Sequence, residues 1–339
     1  MSNVFRYTAL LAAALCLWAC HVHEFPVGSS EVDVTLHLAF DKSLPPFRTV
    51  EYPQTKAADA ETAGLEVQYQ IRLYRGVPGD FEQEPFLIQT YIGDDVTSLE
   101  RDVTLSLKPG RYLAQVWVDF VSEEKGPAYE ATDFRHIGLM GDYPGGDVRQ
   151  EAFYVQCELP LETLITAGST YEDTLTLKRP LAQYRFIATD KEEFLKFWSR
   201  ERAIRHGSSV KTAIPESQLN TYAVRVVYPQ YLPNAFNLFT DHASDAGTGY
   251  SFWTRMQLRE DGDVDLGWDW VIVGPEEGVV VVALEFYDAT GEYISTVNNI
   301  TVPLMRGQVT TVKGTLLTRG VDSGVTIDPT YDGEYNVQF

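Results

Sequence analysis

The sequence predicts an all-β protein built as two tandem β-sandwiches with one short inserted helix. Three observations predict it. Apolar residues recur at every second position in one run after another. Turns rich in Gly and Pro separate those runs at short intervals. The chain has 339 residues, which suits two sandwiches of about 150 residues each better than one. The expected division is a leader over 1–19, a tether over 20–30, a first sandwich over 31–178 and a second over 179–339.

The leader comes first. Arg6 is followed by a nearly apolar run from Thr8 to Ala19. A bilayer span needs about 20 apolar residues, whereas the hydrophobic region of a signal peptide takes about 7–15. The run closes on Leu17-Trp18-Ala19-Cys20. A branched residue three before Cys and a small one just before it resemble a bacterial lipobox, although Trp18 stands where that pattern prefers a small residue. Cys20 is therefore the candidate lipidation site. An ordinary cleaved signal peptide and a buried helix are the alternatives. Two or more acyl chains on Cys20 would anchor the protein stably, where one holds it marginally. His21 to Ser30 then forms a tether, interrupted by Pro26 and Gly28. His21 and His23 have no third ligand nearby and read as tether, not as a metal pair.

Composition narrows the function. Hydrophobic residues make up 44% of the chain, enough to build a core. The net charge is −21, and losing Arg6 with the leader takes it to −22. Such a surface repels nucleic acid, which is excluded as a partner. Of three cysteines, Cys16 lies in the leader and Cys20 at its end. Cys157 is left with no cysteine to pair with, so packing must supply the stability. Cys157 reads as a small buried hydrophobe.

The elements follow in order. Val34, Leu36, Leu38 and Phe40 alternate with polar residues, a half-buried strand. Asp41 to Ala63 reads as a long loop. Leu65, Val67, Tyr69, Ile71 and Leu73 share one strand face. Arg101–Leu107 and Arg111–Phe120 flank the turn Lys108-Pro109-Gly110 and are expected to pair as a hairpin. Gly138 to Gly146 reads as an irregular loop. Strands are expected around Cys157, over Thr174–Leu177 and over Leu181–Ala188. Thr189 with Glu192 suggests a capped helix start. Phe194, Phe197 and Trp198 give that helix an aromatic stripe for the core, and Arg202 to Ser217 reads as a loop. Further strands are expected over Tyr222–Tyr228, Ser251–Leu258, Val264–Val273, Val279–Tyr287, Ile300–Met305 and Val309–Leu317.

Few constellations suggest chemistry. Asp261, Asp263 and Asp265 alternate, but Leu266 and Ile272 stand where a calcium loop needs Gly and Glu. A solvated turn is the better reading. Trp253, Trp268 and Trp270 are candidates for stacking on a sugar, with core packing the favoured reading. No nucleophile elbow, zinc helix or phosphate loop is present. The sequence implies no catalytic residue, no cofactor and no metal. Asp173-Thr174-Leu175 matches a short O-glycosylation pattern, which makes Thr174 a candidate modification site.

Several short motifs carry a family resemblance by their order. They are Leu107-Lys108-Pro109-Gly110-Arg111-Tyr112, Val116-Trp117-Val118-Asp119, Lys178-Arg179-Pro180-Leu181-Ala182, Phe236-Asn237-Leu238-Phe239-Thr240-Asp241, Val302-Pro303-Leu304 and Gly314-Thr315-Leu316-Leu317-Thr318. The chain resembles the fimbrillin-like outer-membrane lipoproteins of the Bacteroidota. That resemblance implies transthyretin-like sandwiches, lipid anchoring at the outer membrane and cell surface, and a structural or adhesive role beside other fimbrial subunits. It implies no active site. Trimming after an arginine in an early loop, here Arg48, belongs to the same resemblance. So does a terminal strand donated to the next subunit. For Val325–Phe339 the Asp332-Gly333 turn favours a strand of its own sandwich. A surface glycan-binding lipoprotein of a polysaccharide-uptake system is the alternative function.

Overall fold

The computed structural model describes residues 31–40 and 64–318, apart from 78, 94, 97, 167, 208–212 and 276. The leader, Cys20, the tether, the loop around Arg48 and the tail Val325–Phe339 lie outside the described residues. The first eleven strands are β1 (Val32–Phe40), β2 (Leu65–Val77), β3 (Asp80–Phe81), β4 (Leu87–Gly93), β5 (Arg101–Leu107), β6 (Arg111–Ser122), β7 (Gly126–Pro127), β8 (Tyr129–Glu130), β9 (Ile137–Leu139), β10 (Ala152–Pro160) and β11 (Thr170–Leu177). Next come β12 (Leu181–Ala188) and the helix α1 (Lys191–Arg205). The remainder is β13 (Ala223–Val227), β14 (Leu232–Asn237), β15 (His242–Gly247), β16 (Ser251–Arg255), β17 (Gln257–Leu258), β18 (Val264–Ile272), β19 (Gly278–Tyr287), β20 (Tyr293–Leu304) and β21 (Val309–Gly314). The fold is all-β with one α-helix among the described residues.

Two sheets enclose the first core. One has the order β11-β1-β5, and the other is built on β10-β6-β2-β3 with β4 also paired to β2. The alternation in β1 is what makes it a strand here: Val32, Val34, Leu36 and Leu38 are at most 2% exposed. Each such side chain contributes about 1.5–3 kcal/mol by leaving water. They meet Val67, Tyr69 and Ile71 of β2 and Val116 and Val118 of β6 in one cluster. Cys157 packs at the edge of this cluster. Burial pushes its thiol up to about 12, so it stays protonated and inert, as a small hydrophobe does.

A second pair of sheets, β17-β18-β12-β21 and β16-β13-β19-β20, encloses another core. Tyr184, Phe186, Val224, Val226, Val282 and Leu284 are fully buried in it. The helix α1 adds Phe194 and Trp198 to that core.

Four expectations are corrected. β5 and β6 do not pair as a hairpin: β5 pairs with β1, and β6 pairs with β2 and β10. The turn at Lys108-Pro109-Gly110 therefore crosses from one sheet to the other. The reason lies in burial. β6 is covered on both faces from Tyr112 to Phe120, whereas β5 exposes every second residue. A strand covered on both faces belongs inside a sheet, and the crossing turns the apolar face of β5 onto it.

The helix begins one residue later than Thr189 suggests. Asp190 is its N-cap residue, and its carboxylate makes no cap bond. It accepts instead from the backbone N–H groups of Leu317 and Thr318, at 3.2 and 2.7 Å, fixing the segment after β21. Phe197 is 45% exposed and stands off the aromatic stripe. The helix also runs on to Arg205, past the expected loop start at Arg202.

Candidate functional site

A third apolar cluster joins the two halves. Trp117, Tyr129, Phe134, Ile137 and Tyr154 from the first half meet Leu181, Phe236, Trp268, Trp270 and Ile272 from the second. One four-stranded sheet, β15-β14-β9-β8, takes two strands from each half. Trp268 and Trp270, candidates for sugar stacking, are 7% and 4% exposed. Their rings meet edge to face, with centroids 6.5 Å apart. Both belong to this joint, and neither offers an open ring face.

Polar groups tie the joint. Asp269 of β18 is fully buried. Its carboxylate accepts from the Tyr143 hydroxyl at 2.6 Å, from the Tyr228 hydroxyl, and from the N–H groups of Gly146 and Trp270 at 2.9 and 2.8 Å. The loop that carries Tyr143 belongs to the first half, so Asp269 pins it onto the second. A glycine is required in that loop, because a Cβ at Gly145 would meet the Phe252 ring at 2.1 Å. Arg306 donates to Asp241 at 2.6 Å and to the Tyr154 hydroxyl at 2.7 Å, a second tie. A third joins Arg179 and Glu151, whose closest N–O distance is 2.7 Å and whose side chains are nearly sealed from solvent.

Among the described residues, the two carboxylates with raised pKa values both lie at the joint. Burial pushes Asp269 up to about 6 against its hydrogen bonds. Burial pushes Asp119 of β6 up to about 7, with the Trp117 indole N–H opposing at 3.1 Å. One carboxylate oxygen of Asp119 has no hydrogen-bond partner. Both folded values lie above the ordinary aspartate value of 3.8. The fold thus favours the protonated forms. That contribution is fully present below about pH 4 and is lost as pH rises through 6 and 7. Asp119→Asn should therefore raise stability to urea at pH 8 and leave it nearly unchanged at pH 4. Equal effects at both pH values would refute the burial argument.

Elsewhere the candidates separate. Asp261, Asp263 and Asp265 do not converge. Asp261 faces Arg259 at 3.3 Å, Asp263 faces Lys313 at 2.6 Å and Asp265 faces Arg185 at 2.9 Å. A calcium ion would need these oxygens turned to one point. No group of three His, Cys, Asp or Glu able to hold a metal occurs among the described residues. Thr174 is exposed on β11, and its N–H donates to the Asp173 carboxylate at 2.8 Å.

Trp253 of β16 differs from the other two tryptophans, being 59% exposed. Its ring lies 5.0 Å from that of Tyr287, which lies 5.8 Å from that of Tyr293. The three rings come from β16, β19 and β20, on the outer face of one sheet. Polar groups stand among them. Arg225 donates to Glu285 at 3.3 Å and to the Ser251 hydroxyl at 3.1 Å. The Tyr287 hydroxyl donates to Glu285 at 2.9 Å. Exposed rings beside a charge pair can stack on the C–H face of a sugar and bond its hydroxyls. Sequence reasoning named Trp253 but missed Tyr287 and Tyr293, because strand pairing alone brings them together. The parity of Val279–Tyr287 was the available signal: it puts Tyr287 opposite the core residue Phe286.

A family model described as a family of unknown function, DUF6562, matches residues 27–339. The chain belongs to that family. No curated protein matches it. The fold is similar to that of several solved structures. A candidate cell adhesion protein from Bacteroides ovatus shares 11% identity over 84% of this chain and 92% of that one, with a TM-score of 0.42. The fimbrial anchor protein Mfa2 from Porphyromonas gingivalis shares 12% identity over 78% and 82%, with a TM-score of 0.36. A fimbrial assembly protein from Parabacteroides distasonis shares 9% identity over 84% and 90%, with a TM-score of 0.38.

Proposed function

We propose that the protein is a non-enzymatic structural or adhesive lipoprotein of the outer membrane, of the fimbrillin type, held at the cell surface by lipid on Cys20. The observation that carries the reading is the lipobox-like Leu17-Trp18-Ala19-Cys20 just ahead of an all-β body whose first strand begins at Val32. The burial of its perturbed groups supports it. Asp119 and Asp269 are fully buried at the joint. The body divides into sandwiches over 31–178 and 179–339. In support, one core draws on residues from Val32 to Leu177 and the other on residues from Ala182 to Leu317. Growing cells with labelled fatty acid tests the anchor. The wild type should take up label and sediment with membranes, and Cys20→Ala should do neither. Equal label in both would overturn the reading.

The exposed Trp253 strip favours glycan binding as a second reading. Trp253→Ala should change stability by less than about 0.5 kcal/mol, as exposed positions do. It should also weaken retention on the glycan that the wild type binds by about tenfold, equivalent to about 1.4 kcal/mol. Unchanged retention by the variant would remove this reading.

A further inference from the structure

We infer that the end of the first sandwich where β1 begins rests on the phosphate-bearing surface of the bilayer that holds the lipid of Cys20, an inference that depends on the lipoprotein reading above.

Strand register defines that end. Val32 opens β1 opposite Leu107, the last residue of β5. Arg111 at the start of β6 lies opposite Pro160 at the end of β10, and Tyr112 lies opposite Arg75 near the end of β2. The Asp33 N–H donates to the Ser169 carbonyl at 3.0 Å, which brings the loop after β10 to the same end. Three connections therefore surround the point where the chain enters the sandwich: the β2–β3 turn, the β5–β6 turn and the β10–β11 loop.

These connections carry exposed apolar and cationic side chains, with the acids Asp80 and Glu162 among them. Val77 is 53% exposed on the first, and Ile165 is 71% exposed on the third. The β5–β6 turn contributes Lys108 and Arg111. A cleft of about 600 Å³ opens between these turns, lined by Arg75, Val77, Lys108, Arg111, Tyr112 and Glu162. Glu162 is the carboxylate lining it, and Arg111 neutralises it at 2.7 Å. Arg75 and Lys108 thus leave the cleft cationic in a protein of net charge −21. Apolar tips set beside cations suit a lipid interface, where side chains enter the headgroup layer and cations meet phosphate.

Tether length selects the occupant. From Cys20 to Val32 the extended chain reaches about 40 Å at most, at ~3.3–3.6 Å per residue. Lipid on Cys20 thus keeps the start of β1 within about 40 Å of the bilayer. The acidic remainder is repelled by anionic headgroups, which sets the orientation.

The test uses the full lipidated chain in vesicles of phosphatidylethanolamine and phosphatidylglycerol. An environment-sensitive probe is attached through Ile165→Cys, or through Glu124→Cys in the turn at the opposite end of the sandwich. Both probe chains carry Cys157→Ala, so that the introduced thiol takes the probe. The probe at 165 should shift to the blue and be quenched by brominated acyl chains, and the probe at 124 should do neither. Arg75→Glu with Lys108→Glu should abolish the shift at 165 while the strand signal in circular dichroism is kept. If fatty-acid label is incorporated but both probes report water, docking is wrong and the anchor stands. If no label is incorporated, the anchor fails and docking fails with it.

Discussion

Asp269→Ala should destabilise the protein by about 4–6 kcal/mol, the largest single effect expected of the joint. The carboxylate takes four hydrogen bonds in a site without water access. Alanine leaves the hydroxyls of Tyr143 and Tyr228 and the N–H of Gly146 without their acceptor. Each such orphan costs about 1–3 kcal/mol. The loss extends further, because the Tyr228 hydroxyl also meets that of Tyr184 at 2.6 Å. Asp269→Asn keeps an acceptor oxygen and should lose less than half as much. Urea unfolding followed by tryptophan emission checks both, since Trp268 and Trp270 flank the site. An alanine variant within 1 kcal/mol (about the worth of one ordinary hydrogen bond) would mean that the joint is not held here.

Arg179→Ala should cost about 3–5 kcal/mol, the usual result of removing one partner from a buried ion pair. Arg179 donates to Glu151 through Nε at 2.8 Å, and its guanidinium lies 4.6 Å from the Phe153 ring centre. The alanine variant takes this cation from a carboxylate whose side chain is 1% exposed. The double variant Arg179→Met with Glu151→Leu removes both charges and keeps volume, so it should recover most of the loss. If the double variant is as unstable as the single one, packing against Phe153 and not charge is the cause. The pair sits beside Lys178 and Pro180, where the chain passes between sandwiches, so the deficit should appear in the joint first. Protease nicking near Pro180 would report it.

The sequence made the strands legible wherever one face is wet. In β1, β2 and β5 the period of two is carried by Val, Leu, Ile and Tyr69 against mostly polar residues, and the observed starts follow it closely. It failed where pairing is decided at long range. A turn such as Lys108-Pro109-Gly110 reverses the chain but does not say whether the next strand stays in its own sheet. β15 holds no large apolar residue and is exposed along most of its length, so it is a strand only because β14 offers it an edge. β14 itself breaks the period at a register shift after Pro233.

Site residues were legible to the same degree. Parity put Trp268 and Trp270 on one face, but core and platform have the same parity. The layer supplied by Trp117 and Phe236, far away in sequence, decides between them. By parity Asp119 shares the β6 face of Trp117, opposite Val116 and Val118. It is a buried acid because Trp117 and Tyr129, from the same cluster, pack beside it.

The place of β1 has a mechanical consequence. β1 and β11 run parallel, with eight residue pairs from Asp33 and Thr170 to Phe40 and Leu177. The chain reaches β1 from its N-terminal end, and β11 leaves from its C-terminal end toward β12. Tension between the leader side and the second sandwich therefore pulls two parallel strands from opposite ends. Such a load slides one strand along the other, so all the ladder bonds must give together. A strand peeled from one end would lose them singly, at far lower force. The first sandwich is thus a shear clamp placed where a pull along the chain would enter it.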